Sequence, residues 1–177
     1  ELGGQVRWWA QAESRHELIG IVSWLEDRIA EEDVKVILNY KVKEADLKKF
    51  DEIIIAAGST GLKHGWTMLH PEKWNGNCLP GADSTHVFSY TELLEKQPKL
   101  GEQVLIFDIM GGRQGAVVAE ILARQGKVVQ FVTQLGQASP DLATSRDWGK
   151  VHGMLKNLGD KFHVDCELLL SLIHISE

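Results

Sequence analysis

The sequence predicts an α/β fold built on a parallel sheet, and three stretches carry that prediction. The first is the succession QVLIFD, IMGGRQG, AVVAEILARQ and KVVQFVT across residues 103–133, with Gly126 stopping the helical segment. Strand, glycine turn, helix and strand in roughly 30 residues is a βαβ unit, whose crossover sets the two strands parallel. The second is DEIIIAAGS, residues 51–59, where Ile53, Ile54 and Ile55 run without a polar interruption. A strand covered on both faces reads this way. The third is HELIGIVSWLEDRIAEE, residues 16–32. It puts Leu18, Ile21, Val22, Leu25 and Ile29 at helical spacing, with charge on the other face.

The remaining elements follow in order. VKVIL, residues 34–38, is a short β-branched run and a predicted strand. The isoleucine strand ends at Gly58, where the backbone must turn or approach something closely. Residues 59–84 lack periodicity, are rich in Gly, Pro, Asn, His and Trp, and end in the turn signal CLPGAD. A loop of this length is either functional or disordered. SYTELLEKQ, residues 89–97, reads as a short helix leading to Pro98 and the linker KLGE, which marks a domain boundary. Beyond the βαβ unit, WGKVHGMLKNLG (148–159) and FHVDCELL (162–169) add another helix and strand. No internal repeat of fixed period and no low-complexity segment interrupts the pattern.

The composition of these 177 residues, 44% hydrophobic and 25% charged, is that of an ordinary globular protein. A net charge of −6 argues against nucleic acid as a partner, since phosphate binding needs clustered Lys and Arg. No apolar run is long enough to span a bilayer and no signal peptide is evident, so a cytoplasmic protein without a membrane partner is expected. Cys78 and Cys166 stand far apart without C-x-x-C spacing. That excludes a zinc knuckle or iron–sulfur cluster supplied by this chain alone and leaves both as reduced thiols. The opening ELGGQ reads as mid-domain sequence. The closing LSLIHISE, residues 170–177, matches a translated transposon end used as a sequencing adaptor, so His174 carries no functional weight. The chain is expected to be an internal fragment with a foreign tail.

The glycine turn of the βαβ unit is the first stretch that bears on chemistry. A dinucleotide fingerprint uses one glycine for the tight turn, one for approach to the pyrophosphate and one to pack helix on strand. With Gly115 as the third, Gly112 is the second and Met110 stands at the first position, while Gly111 is an extra glycine out of register. The helix N-terminus still offers N–H groups to an anion, and Arg113 is placed to add a phosphate contact. The second strand ends in Thr133 and Gln134, with no acid for an NAD ribose, and Arg146 is distant. Two readings stay open: a βαβ unit kept for packing, or one that holds an ADP-like ligand. LGGQ (2–5) and IIIAAGS (53–59) are likewise either plain turns or places where backbone passes close to a ligand.

Their order carries a resemblance. ELGGQ is followed by a helix with Arg15, Glu17, Leu18, Trp24 and Leu25, then by VKVILNYKV, DEIIIAAGS, LPGAD and a fresh βαβ unit. This arrangement resembles the C-terminal FAD/NAD(P)-binding region of the old-yellow-enzyme-related NADH:flavin oxidoreductases. That family includes 2,4-dienoyl-CoA reductase, the trimethylamine and dimethylamine dehydrogenases and related N-demethylases. The resemblance runs to about residue 169 and specifies the superfamily better than the substrate.

The resemblance implies Rossmann-like nested nucleotide-binding domains of the glutathione-reductase type, truncated at both ends. Residues 1–98 would be the C-terminal part of an FAD- or ADP-binding domain and 99–169 a partial NAD(P)-binding-like domain. Gly3, Gly4 and Gln5 match the family's GGQ stretch beside FAD or ADP. Ala56, Ala57 and Gly58 match its A-T-G segment, with Ala57 where the family has Thr, which removes a hydroxyl but keeps close approach. Gly111, Gly112, Arg113 and Gly115 form the second nucleotide turn. Catalysis, FMN and a 4Fe–4S cluster would belong to an N-terminal barrel of the same polypeptide, so no catalytic residue and no metal ligand is expected here. The eroded DIMGGRQG and the HGWTMLHPEKWNG insert favour the amine-dehydrogenase and N-demethylase side, with an electron-transfer protein as acceptor, over an NAD(P)H-fed enoate or dienoyl-CoA reductase. A non-catalytic nucleotide-binding module is the alternative of another class, and either leaves oligomerisation open.

Other residues read more plainly. His64 and His70 flank Trp66 without a third ligand or a partner acid, so they are solvated loop histidines. Trp8 and Trp9 either stack on a flavin or pack between elements, and packing is favoured. His152 and His163 are expected at surface and strand positions. EEDVK and KVKEADLKK are solvated charge.

Overall fold

The computed structural model describes residues 1–65, 79–159 and 161–167. Trp66, His70 and Cys78, most of the HGWTMLHPEKWNG insert and the adaptor-like tail with His174 lie outside the described residues. The chain divides into two compact units, Glu1–Thr60 and Gly61–Glu177.

The first unit is helical. Helix α1 spans Gly4–Trp9, a 3-10 turn covers Glu13–Leu18, α2 spans Ile19–Glu31 and the short α3 spans Glu44–Leu47. Helix α1, the 3-10 turn and α2 pack together around Ala10, Ala12 and Val22. Arg7 ties them: its Nε donates to the Leu2 carbonyl at 2.6 Å and its Nη2 to Glu26 of α2 at 2.7 Å. Of the apolar stripe expected on α2, Val22 is buried, whereas Ile21 and Leu25 are 50% and 47% exposed.

Two predicted strands do not form. Residues 34–38 and 51–59 carry no regular structure, and Ile54 and Ile55 are 92% and 87% exposed. The physical reason is the absence of a partner. A strand exists only where neighbours take its N–H and C=O groups and cover its faces. The described residues of this unit contain no strand to do so.

The second unit contains the predicted parallel sheet. Helix α4, Tyr90–Lys96, opens with a capping box in which Ser89 Oγ accepts from the Glu92 N–H and the Glu92 carboxylate accepts from the Ser89 N–H. Strand β1 is Gln103–Asp108, helix α5 is Arg113–Arg124 and strand β2 is Val128–Thr133. Helix α6, Trp148–Asn157, then leads to β3, Lys161–His163. The sheet order is β1-β2-β3, both pairs parallel, with Asp108 opposite Thr133 at the carboxyl end.

Helix α5 lies on β1 and β2. Its Ala116, Val117, Val118, Ala119 and Leu122 are buried, as are Val129 and Phe131 of β2. It ends where Gly126, at φ 80°, takes the left-handed turn that returns the Lys127 N–H to the Leu122 carbonyl at 3.1 Å.

Helix α4 packs on α5 within the second unit. One expectation needs correction here. His152 is half-buried rather than a freely exposed surface residue. It stacks between Trp148 and Phe162, at centroid distances of 4.2 and 5.0 Å, with its Nε2 2.8 Å from the Ala138 carbonyl. His163 does lie on β3 and is exposed.

Phe131 is fully buried beneath α5 and touches Phe162, with ring centroids 5.7 Å apart. Phe131→Ala is expected to cost about 3–5 kcal/mol, read as a lowered midpoint in urea unfolding of the full chain.

Candidate functional site

In the first unit the two glycine motifs meet. Gln5 and Ser59, 54 residues apart in sequence, are joined by the Gln5 Nε2 donating to the Ser59 carbonyl at 2.5 Å and lying 3.4 Å from its hydroxyl. Gly58 sits at φ 71°, and a Cβ placed on it would have, among the described residues, only Gln5 Nε2 within 4 Å, at 3.9 Å. Gly4, at φ 46°, has none of the described residues within 4 Å of such a position. Backbone at Gly4 and Gly58 is therefore open to close approach. Gly3 has a different reason to be glycine: at φ 95°, its Cβ would fall 2.7 Å from Val22 Cγ1. It is the contact that seats α1 on α2.

Ala56 and Ala57 are exposed and precede Gly58 without regular structure. Sequence reasoning missed Ser59. It supplies a hydroxyl two residues after Ala57, and only the fold shows that Gln5 reaches it. Trp8 and Trp9 are half-buried, and the Trp9 indole N–H is buried without a hydrogen-bond partner among the described residues.

The turn of the second unit is built differently. Asp108, the last residue of β1, is only 6% exposed. Its Oδ1 accepts from the N–H groups of Met110 at 3.1 Å and Gly111 at 3.2 Å. Gly111, at φ 70°, lies so close to the chain after β2 that a Cβ would meet Leu135 Cδ1 at 2.6 Å and Pro140 at 2.9 Å. Its carbonyl accepts from the Asp141 N–H at 3.1 Å. Gly112 starts α5 without a side-chain cap, and the Gln114 amide oxygen lies 2.5 Å from where its Cβ would stand. At Gly115 a Cβ would strike the Phe131 ring at 2.8 Å and Asp108 Cβ at 3.2 Å. That is the helix-on-strand packing role expected of a third glycine.

Arg113 does not reach free toward the turn. Its Nη1 donates to Asp147 Oδ2 at 2.9 Å, and the Ser145 hydroxyl lies 3.3 Å from the same oxygen. Thr133 is buried, its hydroxyl accepting from the Leu135 N–H at 3.2 Å. Asp108 Oδ2, Gln134 Oε1 and Ser139 Oγ are buried without hydrogen-bond partners among the described residues. Burial pushes the Asp108 carboxyl above the usual carboxylate range; its two backbone N–H donors pull the other way, and the charge of Asp141 adds to the rise. Asp108 and Asp147 were not singled out from sequence. For Asp108 a signal existed, since an Asp whose carboxylate takes the N–H groups two and three residues on is an Asx turn.

Among the described residues, no helix is long and apolar enough to cross a membrane. No protein-family profile matches the chain. It is 30% identical over 142 residues to a probable N-methylproline demethylase of Rhizobium meliloti (strain 1021), covering 79% of this chain and 19% of that protein. It is 26% identical over 135 residues to the N,N-dimethylglycine/sarcosine dehydrogenase of Chromohalobacter salexigens, covering 75% and 18%. The chain thus spans about one fifth of the length of these curated relatives.

Two solved structures share its fold. The 6-hydroxypseudooxynicotine amine oxidase of Pseudomonas geniculata N1 superposes with a TM-score of 0.81 at 23% identity, over 97% of this chain and 25% of that one. Histamine dehydrogenase of Rhizobium sp. 4-9 gives 0.83 at 21% identity, over 97% and 26%.

Two outcomes follow from the second turn. A carboxyl raised on folding favours the protonated form. Its contribution is most favourable below the unfolded value of about 3.9 and is lost as pH rises through the folded value. Asp108→Asn keeps an oxygen for Met110 and Gly111 and removes the buried charge. It is expected to raise the thermal midpoint at about pH 7, and to raise it progressively less as pH falls through the raised folded value and the native acid is neutralised. Gly111→Ala is expected to destabilise by roughly 1–3 kcal/mol, from overlap with Leu135 and Pro140 and the left-handed backbone.

Proposed function

We propose that the chain is part of a flavin-dependent oxidoreductase acting on amines, of the dehydrogenase or N-demethylase kind, and that its first unit holds FAD or ADP. The observation that carries this reading is the meeting of Gly4, Gln5, Gly58 and Ser59. Two backbone segments without side chains stand beside a carboxamide and a hydroxyl. That donor and acceptor set suits the ribose and phosphate groups of an adenine nucleotide. The relatives support the amine assignment, since their names describe a demethylase, a dehydrogenase of methylated glycines, an amine oxidase and a histamine dehydrogenase.

In this reading the two units are nested nucleotide domains of the glutathione-reductase type. A flavin, when bound, supplies the electron acceptor. Gln5, with Ser59 as its anchor, orients the nucleotide part, and Gly4 and Gly58 admit it to the backbone. FMN, a 4Fe–4S cluster and the substrate belong to a barrel elsewhere in the polypeptide, and electrons leave to a protein acceptor.

The test is an ADP titration of the full chain, followed through the fluorescence of its tryptophans. Saturable quenching is expected, and Gln5→Ala is expected to weaken it about tenfold, close to 1.4 kcal/mol. A chain that responds saturably to neither ADP nor FAD overturns the reading. In the intact flavoprotein, an N-methylated amine is expected to bleach the flavin. Nucleotide binding without any bleaching would instead indicate a non-catalytic module.

A further inference from the structure

We propose that two copies of the chain associate through the first unit. The outer face of α2 of one copy lies on residues 34–42 of the other, and the contact repeats about a two-fold axis. The inference stands on the first unit alone and does not depend on the nucleotide reading above.

Helix α2 carries apolar side chains on both of its sides. Val22 is buried against the unit, whereas Ile21, Trp24 and Leu25, at i, i+3 and i+4, stand outward and are 50, 62 and 47% exposed. That spacing is the one by which a helix sets its anchors into a partner. Trp24 is the side chain with most to gain from cover. The polar groups along this face leave it acidic. Arg28 is held by Glu31 and Glu32 of its own helix. Glu17, one turn before Ile21, and Asp27, three residues after Trp24, are exposed and carry no ion pair among the described residues.

Residues 34–42 carry the opposite charge. Val34, Val36, Leu38, Tyr40 and Val42 alternate along the chain and all are exposed. Between them stand Lys35 and Lys41, also exposed and without an ion pair among the described residues. Both surfaces belong to the unit Glu1–Thr60, and their simultaneous exposure shows that neither covers the other. A second copy brings what each lacks. Charge then selects the pairing: α2 on α2 sets acid against acid, and the segment on itself sets lysine against lysine. Only the crossed contact opposes unlike charges. About a two-fold axis each copy gives its helix and receives its partner's, so both surfaces are covered and the assembly closes at two.

Sedimentation velocity of the full chain from about 1 to 100 µM tests this. A concentration-dependent monomer–dimer equilibrium is expected, weakening as salt is raised. Trp24→Ser is expected to raise the dissociation constant about tenfold or more, with the far-UV circular dichroism of the monomer unchanged because Trp24 lies outside the core. Reversing the acids (Glu17→Lys with Asp27→Lys) or the lysines (Lys35→Asp with Lys41→Asp) is expected to weaken the dimer several-fold. All four reversals together exchange the signs and are expected to restore most of the affinity. A chain that stays monomeric at about 100 µM in low salt overturns the proposal and leaves the face to another segment of a longer polypeptide or to a different protein. Four reversals that bind no better than either pair overturn the crossed contact. Association that continues past the dimer overturns the two-fold closure.

Discussion

The closeness of Gly115 to the Phe131 ring governs the second unit. A helix that crosses a parallel sheet must approach it at the point where the chain turns back, and any side chain at Gly115 would hold α5 away from β2. Because the approach is allowed, Ala116, Ala119 and Leu122 are buried on the sheet, and Phe131 fills the space between. The same closeness brings the start of α5 down onto the end of β1. Asp108 is therefore sealed under the turn rather than left in solvent. The packing of the core and the electrostatics of the turn have one cause.

Two glycine-rich turns in one chain have thus reached opposite states. Around Gly4 and Gly58 the polar groups are few, exposed and tied by the Gln5–Ser59 bond, and the backbone stands open. Around Gly111 and Gly112 every opening meets a side chain of the same unit. A glycine by itself does not distinguish these cases. What distinguishes them is whether the space a side chain would have taken is given to solvent or to a neighbour.

Much of the second unit was legible because its rules are local. The apolar run in QVLIFD, the glycine turn and the helical segment AVVAEILARQ stopped by Gly126 each lie within a few residues. The helix spacing of residues 16–32 was legible for the same reason. The strands expected at residues 34–38 and 51–59 failed because strandedness depends on a partner that composition does not reveal. The Gln5–Ser59 contact spans 54 residues, so each motif alone read as a plain turn. Asp108 was in view within DIMGGRQG, but its role needed the depth of burial. For His152, Trp148 one turn earlier is a local neighbour, but the stack is closed by Phe162 of β3, which local reading does not bring to it.

The exposed run Ile53–Ile55 bears on how the molecule behaves in company. Three β-branched residues in open backbone are a template for intermolecular sheets, since a second copy offers the edge that the unit itself lacks. Asp51 and Glu52 stand immediately before that run. In a parallel, in-register stack they would line up like charge against like charge along the fibre axis. Those two acids therefore act as gatekeepers. High salt, by screening them, weakens that brake on self-association.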